Sequence, residues 1–166
     1  MARLQSGTVQ LNRHWLPLQE VVGSALASLD ETLAGREVTV DLPAELPLVE
    51  LDAVLVERVL VNLLENAAKY ADGPICIAAR TAGRHIEIDV TDKGPGFPAG
   101  REASLFNKFE RGDRESATPG VGLGLAICKA IVEAHGGRIS AHNVATGGAC
   151  VRVELPLGHP PEEKSE

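Results

Sequence analysis

Aromatic residues are nearly missing from this chain: three Phe, one Tyr and one Trp among 166 residues. That scarcity excludes a core of stacked rings, so the 44% hydrophobic content must pack as Leu, Val, Ile and Ala. No apolar run approaches the ~20 residues of a membrane span. The opening Met1-Ala2-Arg3-Leu4-Gln5-Ser6-Gly7 lacks the apolar stretch of a signal peptide. Together these absences predict a cytoplasmic segment without membrane contact. Cysteine is confined to Cys76, Cys128 and Cys150. Neither a CxxC pair nor Cys/His ligand spacing occurs, which argues against a zinc knuckle and for small buried thiols. Excess positive charge is also absent. A net charge of −7 argues against a non-specific nucleic-acid or anionic-lipid surface. A phosphate ligand remains compatible, because a few local cations and a divalent metal can accommodate one.

The length suits one domain with a substantial core. Residues 1–14 are polar and without period, and are read as the remnant of an upstream element. From Leu16 to Leu33, apolar Leu18, Val21, Val22, Ala25, Leu26 and Leu29 recur at helical spacing, and Gly35 ends that helix. Val38–Leu42 alternates as a strand. Pro43–Pro47 is a loop, and Asp52 N-caps a long helix running to about Tyr70. Asp72-Gly73-Pro74 is a turn. Ile75–Thr81 and His85–Thr91 read as paired strands joined at Ala82-Gly83-Arg84. Residues 93–120 carry no sustained period, and a connection of that length is functional or mobile. A helix follows from Gly122 to about His135, stopped by Gly136-Gly137. Strands near Arg138–Asn143 and Ala149–Leu155 close the domain, and the tail from Pro156 reads as disordered. The pattern predicts an α+β fold: a two-layer α/β sandwich with helices on one face of a mostly antiparallel sheet.

Three patches carry the chemistry. On the helix from Asp52, residues Arg58, Asn62, Glu65, Asn66, Lys69 and Tyr70 fall within an arc of roughly 120°. Two asparagines four apart are unusual there, since asparagine is a poor helix former. The stripe is either an ordinary solvated face or a ligand face. In the second reading Asn66 offers an amide oxygen to Mg²⁺, Lys69 reaches phosphate, and Tyr70 meets a base. In the second patch, Asp92 shares the parity of Ile86, Ile88 and Val90, which aims a carboxylate towards the apolar side as the strand ends. It either caps the Gly94-Pro95-Gly96 turn or accepts from an exocyclic amine such as that of adenine. Gly94 and Gly96 allow a ligand close to the backbone. In the third patch, Gly120-Val121-Gly122-Leu123-Gly124-Leu125 runs into a helix, where free N–H groups and the dipole form an anion site. The alternative is a flexible loop with helix-start glycines. Neither a Walker loop nor a Rossmann fingerprint is present.

In this order and spacing, the patches resemble the catalytic ATP-binding domain of a sensor histidine kinase, in the superfamily shared with gyrase, Hsp90 and MutL. Asn62–Tyr70 resembles the N-box, Asp92–Gly96 the first glycine box and Gly120–Gly124 the second. Leu105-Phe106-Asn107-Lys108-Phe109-Glu110-Arg111 resembles the phenylalanine box of the lid. The likeness covers residues 15–157. Glu57–Tyr70, Phe106–Val132 and Gly147-Gly148-Ala149-Cys150 are similar to the potassium-responsive KdpD-type kinases. The resemblance implies a Bergerat ATP-binding fold with a mobile ATP lid over about 93–120, and ATP and Mg²⁺ as cofactors. It implies that Asn66 ligates Mg²⁺, Lys69 approaches the phosphates, Tyr70 lies against the base and Asp92 accepts from the adenine amine. Gly94 and Gly96 would shape the pocket floor. Asn62, Phe106 and the stretch Gly120, Val121, Gly122, Leu123, Gly124 and Leu125 would line the nucleotide, while Lys108 and Arg111 would meet the γ-phosphate.

Two departures matter. ATP-hydrolysing relatives carry a glutamate where this chain has Asn62, so transfer to a nucleophile is favoured over water activation. Ala149-Cys150 stands where many kinases of the family have a threonine. None of His14, His85, His135, His142 or His159 has the context of a phospho-accepting histidine, and His135 beside Gly136 suits the helix dipole. The expectation is therefore a monomeric catalytic domain whose partners are ATP, the dimerisation domain of a parent inner-membrane sensor and, indirectly, a response regulator. Residues 1–14 would trail from the dimerisation helices and 158–166 would be a disordered tail. The competing readings are an ATPase clamp, a nucleotide-sensing module and an anti-sigma serine kinase.

Overall fold

Asp52 begins the longest helix by taking two orphan donors at once. Its Oδ1 accepts from Leu55 N at 3.1 Å, and its Oδ2 accepts from Asn12 N at 2.9 Å. The computed structural model describes residues 10–97 and 121–158, without the side chains of 121–124. In chain order the elements are β1 (His14–Leu16), α1 (Leu18–Ser28), β2 (Val38–Asp41), β3 (Val49–Leu51), α2 (Ala53–Tyr70), β4 (Ile75–Ala82), β5 (His85–Asp92), α3 (Val121–Ala134), β6 (Arg138–Asn143) and β7 (Ala149–Pro156).

Five strands form one sheet in the order β2-β4-β5-β7-β6. Every pairing is antiparallel except β2 with β4, so the sheet is mixed but mostly antiparallel. The β4–β5 hairpin turns at Gly83, whose φ of 64° suits a two-residue loop. Alternation decides which face is covered. Ile75, Ile77, Ile86, Ile88, Val90, Val153 and Leu155 point one way and are buried. Against them lie Leu18, Val21 and Val22 of α1, Leu60, Leu63 and Leu64 of α2, and Cys128, Ile131 and Val132 of α3. The other face carries Arg80, Glu87, Asp89 and Arg152, with Arg152 forked onto Asp89 at 2.9 and 3.0 Å. This is the expected two-layer α+β sandwich, its core aliphatic throughout.

Four expectations need correction. The first helix neither starts at Leu16 nor runs to Leu33. Leu16 belongs to β1, Pro17 occupies the cap, and regular helix ends at Ser28, whose Oγ bonds back to Ala25 O. Short turns then keep Leu29 and Leu33 in the core up to Gly35 at φ 77°. The small β1–β3 pairing was not expected, although Val49-Glu50-Leu51 alternates buried, exposed, buried. The final strand extends through Pro156, paired with His85, and Leu157 N donates to Arg84 O, so ordered chain passes the point where a tail was expected. Residues 159–166 lie outside the described residues. Finally, Cys76 is only half-buried, on the open sheet face, while Cys128 and Cys150 are buried as expected.

Candidate functional site

Helices α2 and α3 run antiparallel, and their contacts set the register. Asp52 N meets His135 Nε2 at 3.1 Å, and further along α2 Asn62 Nδ2 meets Cys128 Sγ at 3.7 Å. Passing from Asp52 to Asn62 thus moves the partner from His135 back to Cys128. Continuing from Asn62 to Tyr70 covers about 12 Å, and from Cys128 back to Val121 about 10 Å. The end of α2 that bears Asn66, Lys69 and Tyr70 therefore lies beside the beginning of α3. Asn66 is half-buried, Glu65 and Lys69 are exposed, and Tyr70 is 51% exposed.

The Asp92 turn joins the same end. Asp92 Oδ1 accepts from Gly94 N at 2.9 Å and from Ala149 N at 3.2 Å. The turn-capping reading of this carboxylate is realised on one oxygen; among the described residues no partner meets Oδ2. The two readings of Asp92 are thus compatible. A Cβ on Gly94 would stand 2.8 Å from Ala71 Cβ and 3.0 Å from Tyr70 O, so glycine is demanded by the end of α2 itself. Gly96, at φ 86°, would place a Cβ 2.6 Å from Asn143 Oδ1. Close approach here is by protein atoms, which is the physical reason for both glycines.

Of the residues expected at the site, Asn66, Lys69, Tyr70, Asp92 and Gly94 come together at one end of the helix layer. Gly96 joins them through the same turn. Asn62 sits a full turn away, with its amide nitrogen on Cys128 Sγ. Gly122, Leu123 and Gly124 fall inside the first turn of α3, since the helix begins at Val121 rather than after a glycine loop. The first backbone N–H groups of a helix have no intrahelical acceptor, so donors of this turn could serve an anion. Leu125 is buried, on the core side of that helix. Phe106, Lys108, Arg111 and Gly120 lie outside the described residues.

Two contributors escaped the sequence reading. Asn143 holds the backbone of Phe97 from both sides, accepting from its N–H at 2.7 Å and donating to its carbonyl at 3.1 Å. Gly148, at φ 105°, would drive a Cβ to 2.0 Å from Asp92 O. The Gly147-Gly148 pair was a signal for the second; nothing local announces the first. Burial corrects the reading of His135. It is 3% exposed, accepts from Asp52 N, and is held below the usual histidine pKa by burial, so it is not a cation on the helix end. Burial likewise pushes the Cys128 thiol up to about 11, leaving it an unreactive neighbour of Asn62. Among the described residues no three His, Cys, Asp or Glu side chains gather to hold a metal, and no helix is long and apolar enough to cross a membrane.

Residues 51–159 match the family described as histidine kinase-, DNA gyrase B- and HSP90-like ATPase. The sensor protein KdpD of Escherichia coli K12 is 54% identical over 164 residues, 98% of this chain and 18% of that protein. KdpD of Mycobacterium tuberculosis H37Rv is 38% identical over 163 residues, 93% of this chain and again 18% of the relative. The chain thus spans about a fifth of the length of these curated relatives. Among solved structures, the mycobacterial sensor histidine kinase MprB superposes with a TM-score of 0.76 at 27% identity, covering 88% of this chain and 98% of that one. Full-length ShkA in complex with AMPPNP gives a TM-score of 0.81 at 23% identity, over 93% of this chain and 33% of that one. With its fold and most of its length matched in this way, the chain belongs to the histidine kinase-, DNA gyrase B- and HSP90-like ATPase family.

Proposed function

We propose that this chain is the catalytic ATP-binding part of a KdpD-like sensor histidine kinase. It binds Mg·ATP and passes the γ-phosphoryl group to a histidine on a separate dimerisation domain, in potassium or osmotic signalling. The observation that carries the reading is the convergence of Asn66, Lys69 and Tyr70 with the Asp92–Gly94 turn and the first turn of α3. That one end offers an amide oxygen, a cation, a carboxylate oxygen and helix N–H groups. Asp92 Oδ2 would take the adenine amine beside Tyr70, with Gly94 and Gly96 as the floor. Lys69 and the α3 backbone would face the phosphates. Beyond the described residues, Phe106, Lys108, Arg111 and Gly120 would complete the nucleotide contacts.

The donor set fits magnesium that arrives with its nucleotide. Mg²⁺ keeps several waters and takes one or two protein oxygens plus phosphate oxygens, rather than a dedicated protein cage. Asn66 is such an oxygen, and no carboxylate cluster competes with it among the described residues. Bound there, the ion would neutralise charge on the phosphates. In the transfer, the incoming histidine nitrogen forms a bond to the γ-phosphorus as the β–γ bridging P–O bond breaks, and ADP departs. The chain contributes position and charge, not a covalent intermediate.

The partners follow from that role: ATP, the dimerisation domain, and a response regulator only indirectly. Residues 1–14 would connect to the dimerisation helices, with the domain on the cytoplasmic side of an inner-membrane sensor. The test is calorimetric titration with AMPPNP, with and without Mg²⁺, followed by addition of a fragment bearing the histidine and its helix pair. Magnesium-dependent binding near micromolar to millimolar, roughly −8 to −4 kcal/mol, and a labelled fragment are expected. A folded chain that binds no nucleotide, or that hydrolyses ATP steadily without labelling the fragment, overturns the proposal.

A further inference from the structure

Helix α2 ends without a glycine cap. Its C-cap residue Ala71 is extended, at φ −138° and ψ 147°, and its N–H donates to Ala67 O. Further acceptors at this end are met from a distant segment. Arg36 Nη2 donates to Ala68 O at 3.0 Å, while Nη1 donates to Ala71 O and, at 3.1 Å, to Gly73 O. One guanidinium therefore spans the last turn of α2 and the turn that leaves it, at the negative end of the helix dipole.

Arg36 is itself fixed. Arg36 N donates to Leu33 O, and the next residue's carbonyl, Glu37 O, accepts from Ile75 N at 3.0 Å where β2 joins β4. The turn that Arg36 holds carries Lys69 and Tyr70, and its outer side is the surface on which Gly94 packs, against Tyr70 O and Ala71. A shift of this turn would move Lys69 and Tyr70 relative to Asp92 Oδ1 and its bonded Gly94 N–H.

We infer that Arg36 is a positioning residue for nucleotide, setting the distance between the Lys69–Tyr70 end of α2 and the Asp92 turn. The inference rests on the nucleotide site proposed above. The planar fork is essential to it, because a lysine ammonium is a point charge that cannot span carbonyls on both sides of the helix end.

The experiment is a double-variant cycle on this chain, reading AMPPNP affinity in the presence of Mg²⁺. Arg36→Met should weaken binding about 10-fold and Arg36→Lys about 3-fold, intermediate recovery by the conservative cation. In a Lys69→Met background the same Arg36→Met change should cost less than about 3-fold, because the group it positions is gone. A cap with a merely structural role would lower the unfolding temperature and leave affinity unmoved. Unchanged affinity, or equal losses in both backgrounds, overturns the inference. Where Arg36→Met does not fold, the cycle is read with Arg36→Lys, and equal losses in the two backgrounds overturn it equally. Failure of the wild-type chain to bind AMPPNP is seen before any variant and falls on the proposed function instead.

Discussion

His135 and Asp52, 83 residues apart in sequence, meet where α3 ends and α2 begins: Asp52 N–H donates to His135 Nε2 at 3.1 Å. On the other side of the ring, Nδ1 lies 2.9 Å from Ile131 O, which requires the proton on Nδ1 and an unprotonated Nε2. A second proton would set an N–H against the N–H of Asp52. Burial is the main cause of the lowered pKa; Arg13 adds to it, while the Ile131 carbonyl and the Asp52 carboxylate oppose it.

The sign of the pH effect follows. The folded pKa lies below the unfolded value near ~6.5, so the unfolded chain binds the proton more readily. Stability from this histidine is fully present above that value and is lost as pH falls through it towards the folded pKa. Urea unfolding at pH 7.5 and at pH 5.5 should show a drop in the wild type. In His135→Gln, which cannot titrate, the drop should be smaller. Equal drops in both proteins would show that His135 is not the titrating group.

Gly147 and Gly148 share positive φ, 110° and 105°, but not surroundings. A Cβ on Gly147 meets nothing within 4 Å, whereas on Gly148 it stands 2.0 Å from Asp92 O and 2.9 Å from Lys93 Cα. Gly147→Ala should therefore cost only the backbone strain, about 1–2 kcal/mol. Gly148→Ala adds a clash with backbone that carries Asp92, and should cost about 3–5 kcal/mol in all. Denaturant midpoints compare the two directly. Similar losses would mean that the β6–β7 loop relaxes away from Asp92.

Much of this was legible because the signals were local. Asp52 announced a cap, Gly83 a hairpin turn, and the period-two run Ile86, Ile88, Val90 a half-buried strand whose parity reaches Asp92. What escaped depends on residues far apart in sequence. Arg36 serves carbonyls at Ala68, Ala71 and Gly73, so nothing around it marks it as a cap. His135 looked like a helix-end cation until burial and the Asp52 N–H required it neutral. The β1–β3 pairing is only three residues long, too short for a period to show. The glycines at 94 and 96 were read as room for a ligand, whereas Ala71 and Asn143 already occupy that room.

Asp92→Asn separates the cap this carboxylate makes from the adenine contact proposed for it. Oδ1 caps Gly94 N and Ala149 N, a task an amide oxygen can keep. The amide nitrogen would then stand at the Oδ2 position and oppose an adenine amine with a second donor. Affinity for adenine nucleotide should fall by roughly 2–3 kcal/mol while the unfolding midpoint barely moves. Calorimetric titration beside a denaturation curve gives both readings. Unaltered affinity would remove Asp92 from base recognition, and a large stability loss would show the cap to be its main task.

In the proposed site Asn62 would decide between kinase and hydrolase chemistry, because water attacks a phosphoryl group slowly without a base to receive its proton. Here the side chain at that position is an amide whose nitrogen rests on Cys128 Sγ, and the thiol, raised to about 11 by burial, is no base at neutral pH. Glu65 is exposed and lies about 100° round the helix from Asn66, so it does not replace the missing carboxylate. Asn62→Glu should therefore convert part of the bound ATP to a hydrolysable complex and raise phosphate release by about 10²-fold. Glu65→Gln should leave the wild-type rate unchanged. A phosphate-release assay on the isolated chain, with AMPPNP affinity measured alongside, checks both. If Asn62→Glu retains nucleotide and releases no more phosphate, then α2 does not present this position to the γ-phosphate. The proposed preference for transfer would then have to come from water exclusion rather than from the absence of a base.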